Sequence, residues 1–185
     1  MNLKTYQIEA MKTAIYPRPT KPALYPFLGL ANEAGEVCGK VINYGGDGTD
    51  ENEAIRKRLI DEIGDCCWYL SACLTEMGCV MEERYEYTDA EEGDGLRNVL
   101  FLSEETGKVL GILKKSMRDE NWDFGKRMSV TLHNKVYMQL GCVLDAIMRC
   151  CVSLGVTLDE VLDLNIAKLE SRKARGVIGG SGDNR

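Results

Sequence analysis

Four carboxylates in the first half of the chain have the spacing of two helical pairs. Glu33 and Glu36 are three positions apart, and so are Glu62 and Asp65. Residues with this spacing lie on the same side of a helix, so each motif presents its two carboxylates together. Oxygen donors without histidine or cysteine favour a hard divalent ion, Mg²⁺ or alternatively Mn²⁺. The sequence therefore predicts a metal site with these four side chains as ligands.

The surroundings distinguish these two pairs from the many other acidic pairs in the chain. Between residues 27 and 39 the only charged side chains are Glu33 and Glu36, and between residues 63 and 75 the only one is Asp65. Helices that are apolar around most of their circumference are buried. Because buried carboxylates that repel one another are costly without a cation, the two pairs are expected to share one.

Two other ways to neutralise the acids fit the sequence less well. Lys40, one turn after Glu36, is spaced to pair with that residue alone. A di-iron carboxylate site requires two Glu-x-x-His motifs, and the only histidine, His133, has Val130 three positions before it. A magnesium-type site therefore remains the prediction.

Polar and basic side chains near the C-terminus suit the anionic partner of such an ion. Asn165, Lys168 and Arg172 recur along a single predicted helix. Cations at a helix C-terminus also complement the helix dipole, which is one interpretation of them. Beside a divalent metal, the same cations suit a polyphosphate, which is the other interpretation.

Helices are the elements that must position these residues. Apolar residues recur with helical spacing between short segments rich in glycine, proline and aspartate, and no segment has the alternation of a strand. The predicted fold class is all-α, as a helical bundle. The predicted helices are Leu3–Tyr16, Pro26–Tyr44, Glu51–Met77, Leu96–Ser116, Ser129–Leu154 and Leu158–Ala174.

An internal repeat organises the predicted bundle. A shift of 72 positions superimposes identical residues, namely Leu28, Leu30, Glu33, Gly35, Val37 and Gly39 on Leu100, Leu102, Glu105, Gly107, Val109 and Gly111. A shift of 77 positions does the same for Gly64, Cys73, Gly78 and Glu83 on Gly141, Cys150, Gly155 and Glu160. Two similar helical hairpins, neither able to bury its apolar face alone, are expected to pack as a fused pseudo-dimer.

The second copy keeps one of the four carboxylates, Glu105. The residues in place of Glu36, Glu62 and Asp65 are Lys108, Gln139 and Cys142. This copy is predicted to bind no metal, and its repeated glycines are interpreted as packing positions. The predicted divisions are a repeat with the metal site at 1–84, an acidic linker at 85–95, the degenerate repeat at 96–174 and a glycine-rich tail at 175–185.

Three segments resemble the all-α nucleoside triphosphate pyrophosphohydrolases of the MazG type, whose superfamily includes dimeric dUTPases and phosphoribosyl-ATP pyrophosphohydrolase. They are LGLANEAGE at 28–36, DEIGDCCWY at 61–69 and NIAKLESRKARG at 165–176. The likeness covers roughly residues 3–79 and 155–185, and the second copy lies outside it. Asn32 departs from the family, which often has a glutamate there, so a role for that acid is not carried over.

The resemblance implies an enzyme that hydrolyses a nucleoside triphosphate to a monophosphate and pyrophosphate. It implies Glu33 as the general base, although Glu36 could exchange roles with it. The other implied site residues are Glu62 and Asp65 as metal ligands, Asn165, Lys168 and Arg172 as phosphate ligands, and Asn43 near the nucleobase. Because single-copy relatives associate through these helices, a homodimer that resembles their tetramer is expected.

Two further functions stay open at this stage. The alternative is a nucleotide-binding or regulatory helical module without turnover, since the second copy shows that the scaffold tolerates loss of the acids. A purely structural helical partner is the third, and the cost of an unused cluster of buried acids argues against it.

The composition narrows the partners and the location. The formal net charge of −6 has the wrong sign for general binding to a nucleic-acid backbone. Lys4 and Glu9 stand where an export signal would be apolar, and no apolar run approaches the ~18 residues of a membrane span. A cytoplasmic protein with a nucleoside triphosphate as its ligand is expected. The aromatic side chains near the predicted site are expected to pack rather than to stack on a base; they are Tyr6, Tyr16, Tyr25 and Trp68.

Overall fold

The structure is a computed structural model, and it describes residues 1–18, 22–44, 48–80 and 95–179. Within these ranges the regular elements are helices, and no strand occurs. The helices are α1 (Leu3–Met11), α2 (Tyr25–Val41), α3 (Asp50–Glu76), α4 (Gly95–Asp119), α5 (Val130–Ser153) and α6 (Leu158–Ala174). The all-α prediction is confirmed.

The helices begin where the sequence supplies capping side chains. The hydroxyl oxygens of Thr49, Ser129 and Thr157 accept hydrogen bonds from backbone N–H groups of the first turns of α3, α5 and α6. At α6 the side chain of Glu160 completes a capping box with Thr157. Such caps satisfy backbone donors that have no partner within the helix.

The first helix is shorter than predicted, because it ends at Met11 rather than at Tyr16. The Ala10 carbonyl accepts hydrogen bonds from Thr13 Oγ1 at 2.6 Å and from Trp68 Nε1 at 3.1 Å. These contacts replace continued helical bonding and direct the chain across α3. Most of the predicted acidic linker at 85–95 and the end of the predicted tail at 175–185 lie outside the described residues.

Two helix pairs form the bundle. α2 packs on α3, and α4 packs on α5. The pairs meet through α2 against α4 and α3 against α5, while α1 and α6 both pack on α3. At the crossing of α2 and α4, Cys38 Sγ lies 2.9 Å from Ser103 Oγ. This arrangement is the one expected of two fused hairpins, and it brings α2, α3 and α6 together around the predicted acids.

Three apolar pairs related by the 72-residue shift have the same environment in both halves. Leu30 and Leu102 are both buried in the core, and so are Val37 and Val109. Leu28 and Leu100 are both exposed, at 52% and 56%. The two copies therefore use these apolar residues in the same way, as the predicted duplication would require.

One described helix, α5, is long and apolar enough to cross a membrane by length and composition alone. This helix differs from the prediction that no apolar run approaches the length of a membrane span. A core helix of a water-soluble protein passes the same test. Leu132, Val136 and Leu140 of α5 are buried in the hydrophobic core, and the helix contacts α3, α4 and α6.

Candidate metal centre and adjoining cavity

Three of the four predicted metal ligands converge. α2 presents Glu33, and α3 presents Glu62 and Asp65. Each residue offers a carboxylate oxygen, and these oxygens lie within 4.8 Å of one another. The packing of α2 on α3 produces this cluster, because the two acidic motifs lie on the faces that meet. We call Glu33, Glu62 and Asp65 the acid cluster.

Glu36 does not join the acid cluster, so the prediction of four converging carboxylates is wrong for this residue. Its side chain is 44% exposed, and Oε1 accepts a hydrogen bond from Asn32 Nδ2 at 2.8 Å. The neighbour four positions earlier holds it on the outer side of α2.

Two lysines neutralise part of the cluster. Lys40 Nζ lies 2.5 Å from Glu62 Oε1 and 3.7 Å from Glu36 Oε2. The expectation that Lys40 pairs with Glu36 alone is therefore wrong, because the packing of α2 on α3 places Glu62 within its reach. Lys168 Nζ of α6 lies 2.7 Å from Asp65 Oδ1 and donates to the Asp61 carbonyl at 3.1 Å.

Glu33 is the member of the acid cluster whose ionisation is disfavoured. Burial, followed by the charges of Asp65, Glu36 and Glu62, raises the pKa of Glu33 from 4.5 to about 8. Despite the two lysines, the ionised form of Glu33 thus remains unfavourable, and a bound cation would favour it. Carboxylate oxygens on adjacent helices are the donor set that Mg²⁺ and Mn²⁺ prefer, so the residues present fit such an ion.

Replacing Glu33 with glutamine is expected to separate metal binding from fold stability. In EDTA the variant should melt at the same or a higher temperature than the wild type, because glutamine removes like-charge repulsion. The advantage should grow as pH rises from 4.5 to about 8, since the raised pKa of Glu33 makes its ionisation destabilising over that interval. Adding Mg²⁺ should raise the melting temperature of the wild type but not that of Glu33→Gln, because a ligand stabilises only the state that binds it.

The matched control is Glu104→Gln, an exposed glutamate of the second repeat. In differential scanning fluorimetry, Mg²⁺ should raise the melting temperature of this variant as much as it raises that of the wild type. An equal rise in Glu33→Gln and Glu104→Gln would contradict the assignment of the acid cluster as a metal site.

Asp65 is held by a chain of hydrogen bonds that links α1 and α6 to α3. Tyr6 Oη donates to Asn165 Oδ1 at 2.7 Å, and Asn165 Nδ2 donates to Asp65 Oδ1 at 2.9 Å. Asn165 is only 3% exposed, and a Cβ atom on Gly64 would lie 2.9 Å from its amide nitrogen. Asn165 therefore orients Asp65, which corrects its prediction as a phosphate ligand: its amide is enclosed by α1 and α3.

A cavity of about 280 Å³ opens beside the acid cluster. Glu33 and Asp65 form part of its wall. Four aromatic side chains form another part, namely Tyr16, Tyr25, Trp68 and Tyr69. The Tyr16 and Tyr25 rings are stacked, with centroids 5.3 Å apart and planes 8° apart, and the Trp68 ring meets both Tyr16 and Tyr69 edge-on. We call this space the aromatic cavity.

Arg172 completes the wall of the aromatic cavity. The residue is 7% exposed, and its guanidinium has no hydrogen-bond acceptor or ion-pair partner within the described part of the chain. A buried arginine without an acceptor is costly unless an anion reaches it. Its predicted role in binding an anion therefore fits its position, whereas Lys168 is engaged with Asp65.

Asn43 does not lie at the cavity. It lies two positions after Val41, the last residue of α2, and it is exposed. The cavity lies near the other end of α2, beside Tyr25. Tyr25 lies 18 positions before Asn43, about five helical turns along α2. The implied role of Asn43 near a nucleobase stays a prediction.

The equivalent position in the second copy is closed by protein side chains. Glu105 is 4% exposed. Lys108 Nζ donates to its Oε1 at 2.6 Å, and Gln139 Nε2 donates to its Oε2 at 2.5 Å. Two residues that replaced predicted ligands thus satisfy the single remaining acid, so this position needs no ion.

Comparison with known proteins identifies a phage relative. The chain is 37% identical to the "Gene 37 protein" of Mycobacterium phage L5 over 100 residues, which are 52% of this chain and 82% of the phage protein. No family model matches the sequence. No solved structure matches the chain either. The identity and the coverage of the phage protein show that the chain belongs to the family of the Gene 37 protein of Mycobacterium phage L5.

Proposed function

We propose that the protein hydrolyses nucleoside triphosphates between the α and β phosphates, releasing a nucleoside monophosphate and pyrophosphate with Mg²⁺ or Mn²⁺ as cofactor. The observation that carries the proposal is the buried guanidinium of Arg172, which has no partner among the described residues and lies in the same cavity wall as Glu33 and Asp65. Acids that need a cation and an arginine that needs an anion are complementary to a metal–polyphosphate complex.

The aromatic part of the wall supports a nucleotide over a simple polyphosphate. Tyr16, Tyr25 and Trp68 enclose the cavity on the side of the α1–α2 connection. Aromatic rings stabilise a planar base by stacking, with about 1–3 kcal/mol for each base in single-stranded nucleic-acid complexes. We place the base against these rings and the phosphates between the acid cluster and Arg172.

In this mechanism the side chains of the chain hold the reacting groups. Bound Mg²⁺ would supply neutralisation of phosphate charge at Glu62 and Asp65. Glu33 accepts a proton from water as the water oxygen bonds to the α phosphorus. The bond from that phosphorus to the α–β bridging oxygen breaks, and pyrophosphate leaves. Arg172 binds the phosphate oxygens, and Glu36 stays at the edge of the site, where Asn32 and Lys40 hold it.

A nucleotide-binding module without turnover is the second candidate. The second copy favours it, because there the same scaffold satisfies Glu105 with Lys108 and Gln139 and carries no cluster of three acids among its described residues. The two candidates share the aromatic cavity and differ only in whether water is activated.

The test is a panel of deoxyribonucleoside and ribonucleoside triphosphates with the purified protein, in Mg²⁺ and then in excess EDTA. Pyrophosphate and the matching monophosphate should form in equal amounts with Mg²⁺, and neither should form in EDTA. Nucleotide binding by calorimetry without pyrophosphate would support the second candidate. The absence of both binding and turnover would overturn both.

A further inference from the structure

Glu76, the last residue of α3, has a buried carboxylate outside the acid cluster. Its side chain is 4% exposed. A negative charge at a helix C-terminus opposes the helix dipole, so this position needs compensation from other groups. Arg18 Nε lies 2.9 Å from Oε1, Tyr16 Oη donates to Oε1 at 2.8 Å, and the Ala23 N–H donates to Oε2 at 3.1 Å.

The partners of Glu76 all belong to the connection between α1 and α2. Tyr16 and Arg18 lie before the undescribed residues 19–21, and Ala23 lies after them. Glu76 therefore ties both described parts of this connection to the end of α3. Arg18 reinforces the contact, because it donates to Tyr16 Oη at 3.1 Å and its guanidinium carbon lies 4.8 Å from the centre of the Tyr16 ring.

The same connection forms one wall of the aromatic cavity. Thr13, Ile15, Tyr16 and Pro17 all contribute to that wall. Ile15 is 67% exposed. Ile15 therefore adds little packing, and the segment is held both by the burial of Tyr16 against Ala72 and by the hydrogen bonds to Glu76.

We infer that Glu76 is a positioning residue for the ligand: through Arg18 and Tyr16 it fixes the segment that forms this wall of the aromatic cavity. The inference rests on the proposed function, because it takes the ligand of the cavity to be a nucleotide. Glu76 does not touch the reacting phosphates, so its effect should fall on nucleotide affinity rather than on the chemical step.

The test compares Glu76→Gln and Tyr16→Phe with the wild type. The second variant keeps the stacking ring and removes one hydroxyl, so it guards against a fold defect in the first. In Mg²⁺, each should weaken calorimetric binding of a non-hydrolysable α,β-methylene triphosphate by about tenfold, which corresponds to about 1.4 kcal/mol. KM should rise in parallel while kcat changes little, and the Mg²⁺-dependent rise in melting temperature without nucleotide should be unchanged.

Arg118→Gln is the matched control, because Arg118 forms an exposed ion pair with Asp119. It should bind the analogue as the wild type does. Lower melting temperatures of Glu76→Gln and Tyr16→Phe with unchanged analogue binding would show a purely structural role and overturn the inference, while the proposed function would stand. No binding of the analogue by the wild type would overturn the proposed function and this inference with it.

Discussion

Glu62→Gln is expected to lower pyrophosphate release by about 100-fold or more, a loss comparable with removing a preorganised electrostatic group from an active site. The side chain of Glu62 is 7% exposed and lies within the acid cluster. Glutamine keeps its size and one oxygen but removes the negative charge. Steady-state pyrophosphate release at saturating Mg²⁺ and nucleotide measures the effect.

The matched variant is Gln139→Ala, at the equivalent position of the second copy. It removes the hydrogen bond to the buried Glu105 and should cost about 1–3 kcal/mol of stability. Because Glu105 stands in no cluster of three acids among the described residues, most of the activity should remain. Equal losses of activity in Glu62→Gln and Gln139→Ala, after correction for the folded fraction, would contradict a single site in the first repeat.

The acid cluster was predictable because local patterns determine it. A spacing of three places Glu62 and Asp65 on one side of α3, and the apolar residues around Glu33 indicate that its face of α2 is buried. The same local patterns did not predict that Glu36 lies outside the acid cluster. Its position depends on Asn32 and Lys40, two polar neighbours that compete for it on the surface of α2.

The contacts between distant segments were not predictable from one sequence. Nothing local indicates that Tyr6 reaches Asn165, because 159 positions separate them in the chain. The aromatic cavity was also missed, because residues 12–16 were predicted to continue the first helix. These residues have helical spacing in the sequence. In the structure, however, hydrogen bonds with Trp68 and Glu76 hold this part of the chain against α3.

The glycines show the same limit. The repeated Gly35 and Gly39 were interpreted as packing positions, and a Cβ atom on either would meet no heavy atom within 4 Å. Gly29, which has no counterpart among the repeated residues, is the one in close contact on α2. A Cβ atom there would lie 2.1 Å from Tyr69 Cε1. The repeated residues thus indicated the helix α2. They did not indicate which of its glycines is tightly packed, because that depends on Tyr69 of the neighbouring helix α3.

Gly29→Ala and Gly35→Ala are therefore expected to change stability in opposite directions. Both glycines lie within α2, where alanine is favoured over glycine by about 0.5–1 kcal/mol. Gly35→Ala should gain that amount, because its surroundings are open. Gly29→Ala should lose about 1–3 kcal/mol instead, the usual cost of overpacking, because the Tyr69 ring must move.

Chemical denaturation in EDTA measures this difference without interference from metal binding. Tyr69 lies edge-on against Trp68 at 4.9 Å between ring centroids, and both line the aromatic cavity. Gly29→Ala should therefore also weaken nucleotide binding, whereas Gly35→Ala should not. If Gly29→Ala proved as stable as Gly35→Ala, the Tyr69 ring would not lie against α2. That result would contradict the aromatic wall described above, and with it the placement of the base.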